Sequence, residues 1–348
     1  MTEGVEIPFG NLPPGFAEQV PEEGRPAGLR VRPAQPAATL VLLRAGGGAP
    51  VGGTGVGAGK APDPGTDLGA GVGLEAGAGS EPGADSDEEG SHLEVLLLRR
   101  SPGLSFVPGA WVFPGGGLEA ADQGPGSREI LGGIDLGRLA GSLAVPPDGP
   151  PPHAHLVAAY RETLEETGIL PASRILPAAR GSGSGGPQPD PRRTGGGGAV
   201  TAAESRALRR RLLAGEGSFP EMLLEAGIRL DGAEPVYLAH WVSPELEGRR
   251  YDTRFFGVHH AGTDPGSPQA GEGVEVRWIS PARAIHLHEA GEFPLIFPTL
   301  LTLKALAPLA SPDAVVRHFR RRSIPRILPR LHRTSRGVRM VVDAAVLR

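Results

Sequence analysis

The sequence contains no cysteine. This absence removes disulfides, thiol nucleophiles and the usual structural zinc sites. It suits a reducing compartment, and a cytoplasmic location is the expectation. No apolar stretch approaches the roughly 20 residues needed to cross a bilayer, so no membrane partner is expected. Residues 1–10 carry two glutamates and no cationic stretch ahead of an apolar run, unlike a secretory leader. Val346-Leu347-Arg348 does not form a peroxisomal address. A net charge of −4 offers no general field for nucleic acid. Nucleic acid is therefore not an expected partner.

Glycine and proline, by contrast, are abundant: 54 and 37 of 348 residues, approaching a low-complexity composition. Much of the excess lies in three stretches, 45–91, 123–152 and 180–200, which read as flexible inserts. Subtracting them leaves one core-forming domain over 35–310. A polar, Pro-rich lead-in (1–34) precedes it and a basic extension (311–348) follows. From Arg317 to Arg339 that extension holds nine arginines and no acidic residue. Capture of RNA or of a highly phosphorylated ligand is one reading. Prolines and a glycine interrupt the run, however, and Phe319 is its one stacking aromatic, which favours a solvated segment packed on the acidic body.

Apolar runs predict strands at Ala38–Arg44, Leu93–Arg100, Ala110–Phe113, Pro235–Val242, Tyr251–His259 and Val274–Ile279. Helical patterns fall at 127–143, 153–167, 202–214, 219–226, 300–309 and 312–321. Strands and helices interleave without a regular βαβ repeat. The expected class is therefore α/β, a mixed β-sheet sandwiched between α-helices.

The most informative stretch is Arg161-Glu162-Thr163-Leu164-Glu165-Glu166-Thr167-Gly168-Ile169. At helical spacing Glu162 lies one turn before both Glu165 and Glu166, so like charges crowd one side. A hard divalent cation would offset that repulsion. A solvated helix face, with Arg161 pairing to Glu165 at i,i+4, is the plainer reading. Upstream, residues 106–119 run from a short apolar strand into Pro114-Gly115-Gly116-Gly117. Glycines there let backbone approach a ligand closely.

Together the two segments resemble the halves of a Nudix box. Gly116 and Asp122 match the first half, with aspartate in place of the usual glutamate. Arg161, Glu162, Glu165, Glu166, Gly168 and Ile169 match the second, with Thr163 at a normally aliphatic position. Between Asp122 and Arg161 lie 38 residues instead of seven, an insertion of 31. An interrupted box of this kind resembles the Nudix subgroup that hydrolyses coenzyme A and acyl-coenzyme A diphosphates. Arg249–Phe256 and Trp278–Ala284 resemble the same subgroup, and the likeness spans about residues 35–310.

The resemblance implies hydrolysis of a diphosphate bond with Mg2+ or Mn2+, giving 3′,5′-ADP and (acyl-)phosphopantetheine. It makes Glu165 and Glu166 metal ligands and Gly116 a carbonyl ligand, with Glu162 a ligand or general base. Arg161 would orient the carboxylates. Asp122 is a weaker candidate, one methylene shorter than glutamate and beside the insertion. A distant carboxylate from a later loop is also implied, with Glu272 and Glu275 the local candidates; Glu275 reads equally well as the polar face of a strand. Arg250 and Arg254 are candidates for substrate phosphates, although Asp252 sits between them and mutual salt bridging is the alternative. Arg100, with Arg99 and Ser101, loosely resembles the coenzyme A recognition region, but no histidine lies between Ser101 and Phe113. An insert within the box must rise beside the cleft, either as a surface loop or as a lid over substrate. Two rival functions stay open: hydrolysis of ADP-ribose or another nucleoside diphosphate derivative, and a Nudix-fold sensor that binds without turnover.

Overall fold

A computed structural model describes residues 4–8, 20, 31–46, 92–104, 107–143, 145–174, 198–230, 234–247, 249–335 and 337–343. Most of the expected inserts 45–91 and 180–200 lies outside the described residues. The strands are β1 (Gly4–Pro8), β2 (Gln35–Gly46), β3 (His92–Arg100), β4 (Trp111–Val112), β5 (Gly115–Gly117), β6 (Ser173–Arg174), β7 (Ile228–Arg229), β8 (Val236–Val242), β9 (Tyr251–His259), β10 (Gly273–Ile279), β11 (Arg326–Ile327), β12 (Arg330–Thr334) and β13 (Gly337–Asp343). The helices are α1 (Leu136–Leu143), α2 (Pro152–Thr167), α3 (Ala202–Leu213), α4 (Phe219–Glu225), α5 (Pro281–Glu289), α6 (Phe297–Leu306) and α7 (Pro312–Phe319).

An eight-stranded mixed sheet organises the molecule, in the order β10-β3-β2-β9-β8-β11, with β4 on β3 and β5 on β2. The central strand shows why helices cover both faces. Leu40 and Leu42 point into one core with Leu156 and Tyr160 of α2, while Val41 and Leu43 point into a second with Leu303 and Leu306 of α6. An apolar run with no polar alternation can be stable only when both faces are dry. Burying each such side chain contributes about 1.5–3 kcal/mol. The α/β sandwich expected from the sequence is what forms.

One edge of β2 serves two partners. Leu43–Gly46 pair with β3, whereas Ala37–Thr39 pair with β5. As β3 departs, the glycine strand takes its place and comes to lie beneath α2. A Cβ at Gly115 would meet the Ala38 carbonyl oxygen at 2.5 Å, so a side chain could not be accommodated there.

Two expectations are corrected. The insert inside the box is not a loose loop over Glu129–Leu143. Its helical stretch breaks at Gly132, where φ is +46°, into a 3-10 turn (Glu129–Leu131) and α1. Ile130, Leu131, Leu139 and Leu143 are buried in the core shared with α2. The Leu230 amide donates to the Ile130 carbonyl at 2.7 Å, anchoring the insert to the strand that follows α4. The basic stretch after residue 311 is likewise not an appendage. Val315 and Phe319 of α7 complete the second core, and β11 joins the main sheet in parallel with β8. β12, β13 and β1 make a separate antiparallel sheet. Among the described residues no helix is long and apolar enough to cross a membrane.

His155 of α2 is fully buried. Burial, helped by the nearby Arg254 charge, pushes its pKa down to about 3. The folded protein keeps this ring neutral while the unfolded chain protonates it below pH 6.5. Its stabilising contribution is therefore complete above pH 6.5 and is lost as pH falls towards 3. At pH 5 the loss from this group is about 2 kcal/mol. His155→Leu should flatten the stability profile between pH 6.5 and 4 in urea titrations. An unchanged slope would show that His155 is not what responds to acid.

Candidate active site

Helix α2 carries the acidic side chains and ends at Gly168 in the left-handed conformation, φ +73°. Thr163, at the position where an aliphatic residue was expected, is buried and donates its hydroxyl to the Ala159 carbonyl at 2.7 Å. That internal bond satisfies the hydroxyl and lets threonine sit in the core.

Arg161 organises the site. Its guanidinium is 2 % exposed, and all five of its N–H donors are engaged. Nε and Nη2 fork onto the two Asp122 oxygens at 3.0 Å each. Nη2 also reaches the Gly117 carbonyl at 2.9 Å, and Nη1 reaches Glu162 at 3.0 Å and Glu165 at 3.3 Å. Asp122 is fully buried and also accepts the Glu119 amide at 2.8 Å, closing a short turn over Ala120–Gln123. The insertion therefore does not displace Asp122. The shorter side chain belongs to the clamp on Arg161.

Close approach to the glycine strand completes the arrangement. The Gly115 amide donates to Glu166 Oε2 at 3.0 Å. A Cβ at Gly116 would lie 2.4 Å from Glu162 Oε1, so only glycine allows that carboxylate to rest against the backbone. The Gly115 amide is a site group that sequence reasoning missed. Three adjacent glycines signal a close approach without showing which amide is used.

Electrostatically the site holds more negative than positive charge. Burial, reinforced by the charges of Glu162 and Glu272, raises the Glu166 pKa well above the usual carboxylate range, against the Gly115 amide and Arg100. Burial also pushes Glu162 up to about 7 although Arg161 opposes it, and raises Glu165 in the same way. One guanidinium serves four carboxylates, and the helix carboxylates remain under-compensated. Such a set of carboxylates could take up a divalent cation. Among the described residues, no three acidic or histidine side chains stand at chelating distance of one another. Glu162 and Glu165 lean on Arg161 instead, with side chains 15 % and 21 % exposed.

The remaining candidates divide. Arg100 and Glu272 lie within electrostatic reach of Glu166. Glu275 does not join them; it pairs with Arg277 along the same face of β10, which is the strand-surface alternative. Arg250 is engaged with the backbone. It is buried, with Nε on the carbonyls of Ser243 and Pro244 and Nη1 on that of Arg32 at 2.6 Å, so it fastens loops. Arg254 is buried beside Asp252, donating to Oδ1 at 2.8 Å, while His240 contacts the same oxygen at 2.7 Å. Salt bridging, the alternative reading, is what these arginine and aspartate side chains do.

No family model matches the chain. Among curated proteins it is 31% identical over 244 residues to the acyl-coenzyme A diphosphatase NUDT19 of Homo sapiens, covering 62% of this chain and 61% of that protein. It is 29% identical over 241 residues to the acyl-coenzyme A diphosphatase NUDT19 of Gallus gallus, covering 63% of this chain and 62% of that one. The matched region thus spans just over three-fifths of the length of these relatives. Among solved structures, a Nudix hydrolase from Alicyclobacillus acidocaldarius superposes with a TM-score of 0.50 at 22% identity, covering 82% of this chain and 95% of that chain. The chain shares the fold of that Nudix hydrolase. The Nudix fold explains why a box interrupted by 31 residues still assembles: Asp122 and Arg161 meet in space, and the insert packs behind them. Helix α2 contacts both the glycine strand and the insert.

Proposed function

We propose that this chain is a divalent-metal-dependent diphosphatase acting on coenzyme A or acyl-coenzyme A, releasing 3′,5′-ADP and (acyl-)phosphopantetheine. The observation that carries the reaction class is the set of buried, under-compensated carboxylates on α2 facing a glycine strand. The names of the curated relatives support the substrate.

Glu166, Glu165, Glu162 and the Gly116 carbonyl would hold Mg2+ or Mn2+. A bound divalent ion supplies charge neutralisation at the diphosphate and a more acidic water. Glu162, resting against the Gly116 backbone, would act as a metal ligand or as the general base. Arg161, itself held by Asp122, orients the Glu162 and Glu165 side chains. Arg100 places positive charge within reach of Glu166, where it would offset a diphosphate.

Purified protein given Mn2+ with coenzyme A, an acyl-coenzyme A or ADP-ribose should yield 3′,5′-ADP from the first two, identified by product mass. Turnover of ADP-ribose alone would overturn the coenzyme A reading and leave the diphosphatase reading standing.

A further inference from the structure

The C-terminal turn of α2, which carries Glu165 and Glu166, is held by groups far away in sequence. A helix leaves its last four carbonyls without helical partners, and here each is accounted for. The Gly168 amide bonds Leu164 at 2.9 Å, the Ser267 amide bonds Thr167 at 2.8 Å, and the Gln269 amide bonds Glu166 at 3.0 Å. The rest falls to Arg209 of α3. Its Nε donates to the Glu165 carbonyl at 2.7 Å and its Nη2 to the Glu166 carbonyl at 3.3 Å. Its Nη1 donates to the Ser267 carbonyl at 2.9 Å and to Ser267 Oγ at 3.1 Å.

One buried side chain therefore joins two segments of the site. The first is the helix turn bearing the two glutamates. The second is the 264–272 loop, whose Glu272 acts electrostatically on Glu166. Positive-φ glycines allow the close fit: a Cβ at Gly168 would come within 3.2 Å of Arg209 Nη1, and one at Gly266 within 3.2 Å of the Thr167 carbonyl. Burying a guanidinium is costly. Here the negative end of the helix dipole and four acceptors offset it. A water or a local cap could satisfy the same carbonyls, but neither would tie the loop to the helix.

We infer that Arg209 is a positioning residue of the site, setting the placement of Glu165 and Glu166 relative to the Glu272 loop and so the affinity of the carboxylates for a divalent ion. The inference rests on the diphosphatase reading above. Outer groups that orient ligands typically affect metal affinity by about 10–100-fold.

The test compares Mn2+ binding, followed by electron paramagnetic resonance of the free ion, with kcat and KM on coenzyme A. The proteins are wild type, Arg209→Ala, Arg209→Lys and Leu208→Ala. Leu208 is buried one residue away, so its truncation destabilises α3 without touching the latch. Arg209→Ala should bind Mn2+ about tenfold more weakly and lose about tenfold in kcat, with KM within about twofold. Arg209→Lys, able to reach a carbonyl but not to fork, should recover part of both. Leu208→Ala should lower Tm and leave Mn2+ affinity alone. If Arg209→Ala does not fold, the same comparison is made with Arg209→Lys. Arginine variants with wild-type Mn2+ affinity, or with no more loss than Leu208→Ala, would overturn the role. A wild-type protein that binds Mn2+ but does not hydrolyse coenzyme A would overturn the substrate reading instead, while the affinities still judge Arg209. Wild type without Mn2+ binding would overturn both.

Discussion

Glu166→Gln should reduce turnover of coenzyme A by about three orders of magnitude while raising the Tm of the metal-free protein. The two effects have opposite signs because the same charge causes both. The carboxylate is 6 % exposed, and burial together with Glu162 and Glu272 disfavours its ionised form. The amide is nearly isosteric and still accepts from Gly115, so the fold loses no hydrogen bond and sheds a repulsion. Charge at this position is what a divalent ion requires, and its loss is worth about 4 kcal/mol in the barrier at three orders of magnitude. Steady-state rates with Mn2+ and thermal unfolding in chelator are the two measurements. Turnover within tenfold of wild type would remove Glu166 from the mechanism, and a large fall in Tm would make it a structural residue.

Arg161→Met should be the most destabilising single change in the site. Asp122 is fully buried and would lose the cation that pairs with it, while the Gly117 carbonyl would lose a donor. Breaking a buried pair from one side costs about 3–5 kcal/mol. For a domain of this size that corresponds to a fall in Tm of roughly 10 °C. Arg161→Lys retains the charge but not the fork onto Asp122, and should fall between the two. The double change Arg161→Met with Asp122→Leu should recover much of the stability and none of the activity, because it removes the stranded charge without rebuilding the clamp. If Arg161→Met unfolds within about 1 kcal/mol of wild type, the clamp is not what holds the halves of the box together.

The longer strands of the main sheet and the box helix were legible in the sequence because their signals are local. An unbroken apolar run at Leu40–Leu43 requires two covered faces, and Tyr251–His259 forms over the predicted span. Gly116 was legible for a similar reason: three glycines after a short strand announce close approach, and Glu162 is what approaches. The arginines were not. Arg250, Arg254 and Arg209 carry the same chemistry in sequence, yet one fastens loops through backbone carbonyls, one serves Asp252, and one grips the end of α2. Which acceptors a guanidinium meets depends on contacts across dozens of residues. Arg209 in particular sits in a run of three arginines that gives no reason to choose among them. The insert misled for the opposite reason. Its glycines and prolines suggested mobility, while Ile130, Leu131, Leu139 and Leu143, spaced across the break at Gly132, supplied a buried face that no single helical period displays.

The sheet order also bears on how the protein is made. Ala38 lies in register with Gly116 on one side and with Arg254 on the other, and β8 gains its outer neighbour only when Arg326–Ile327 arrive. Pairings between such distant segments form slowly. On a ribosome, the apolar faces of β2 and α2 emerge well before β9 and β11 are available to complete the sheet. During that interval they are surfaces for chaperones or for aggregation. A nascent chain thus carries a complete box in its sequence long before it has a site that could work.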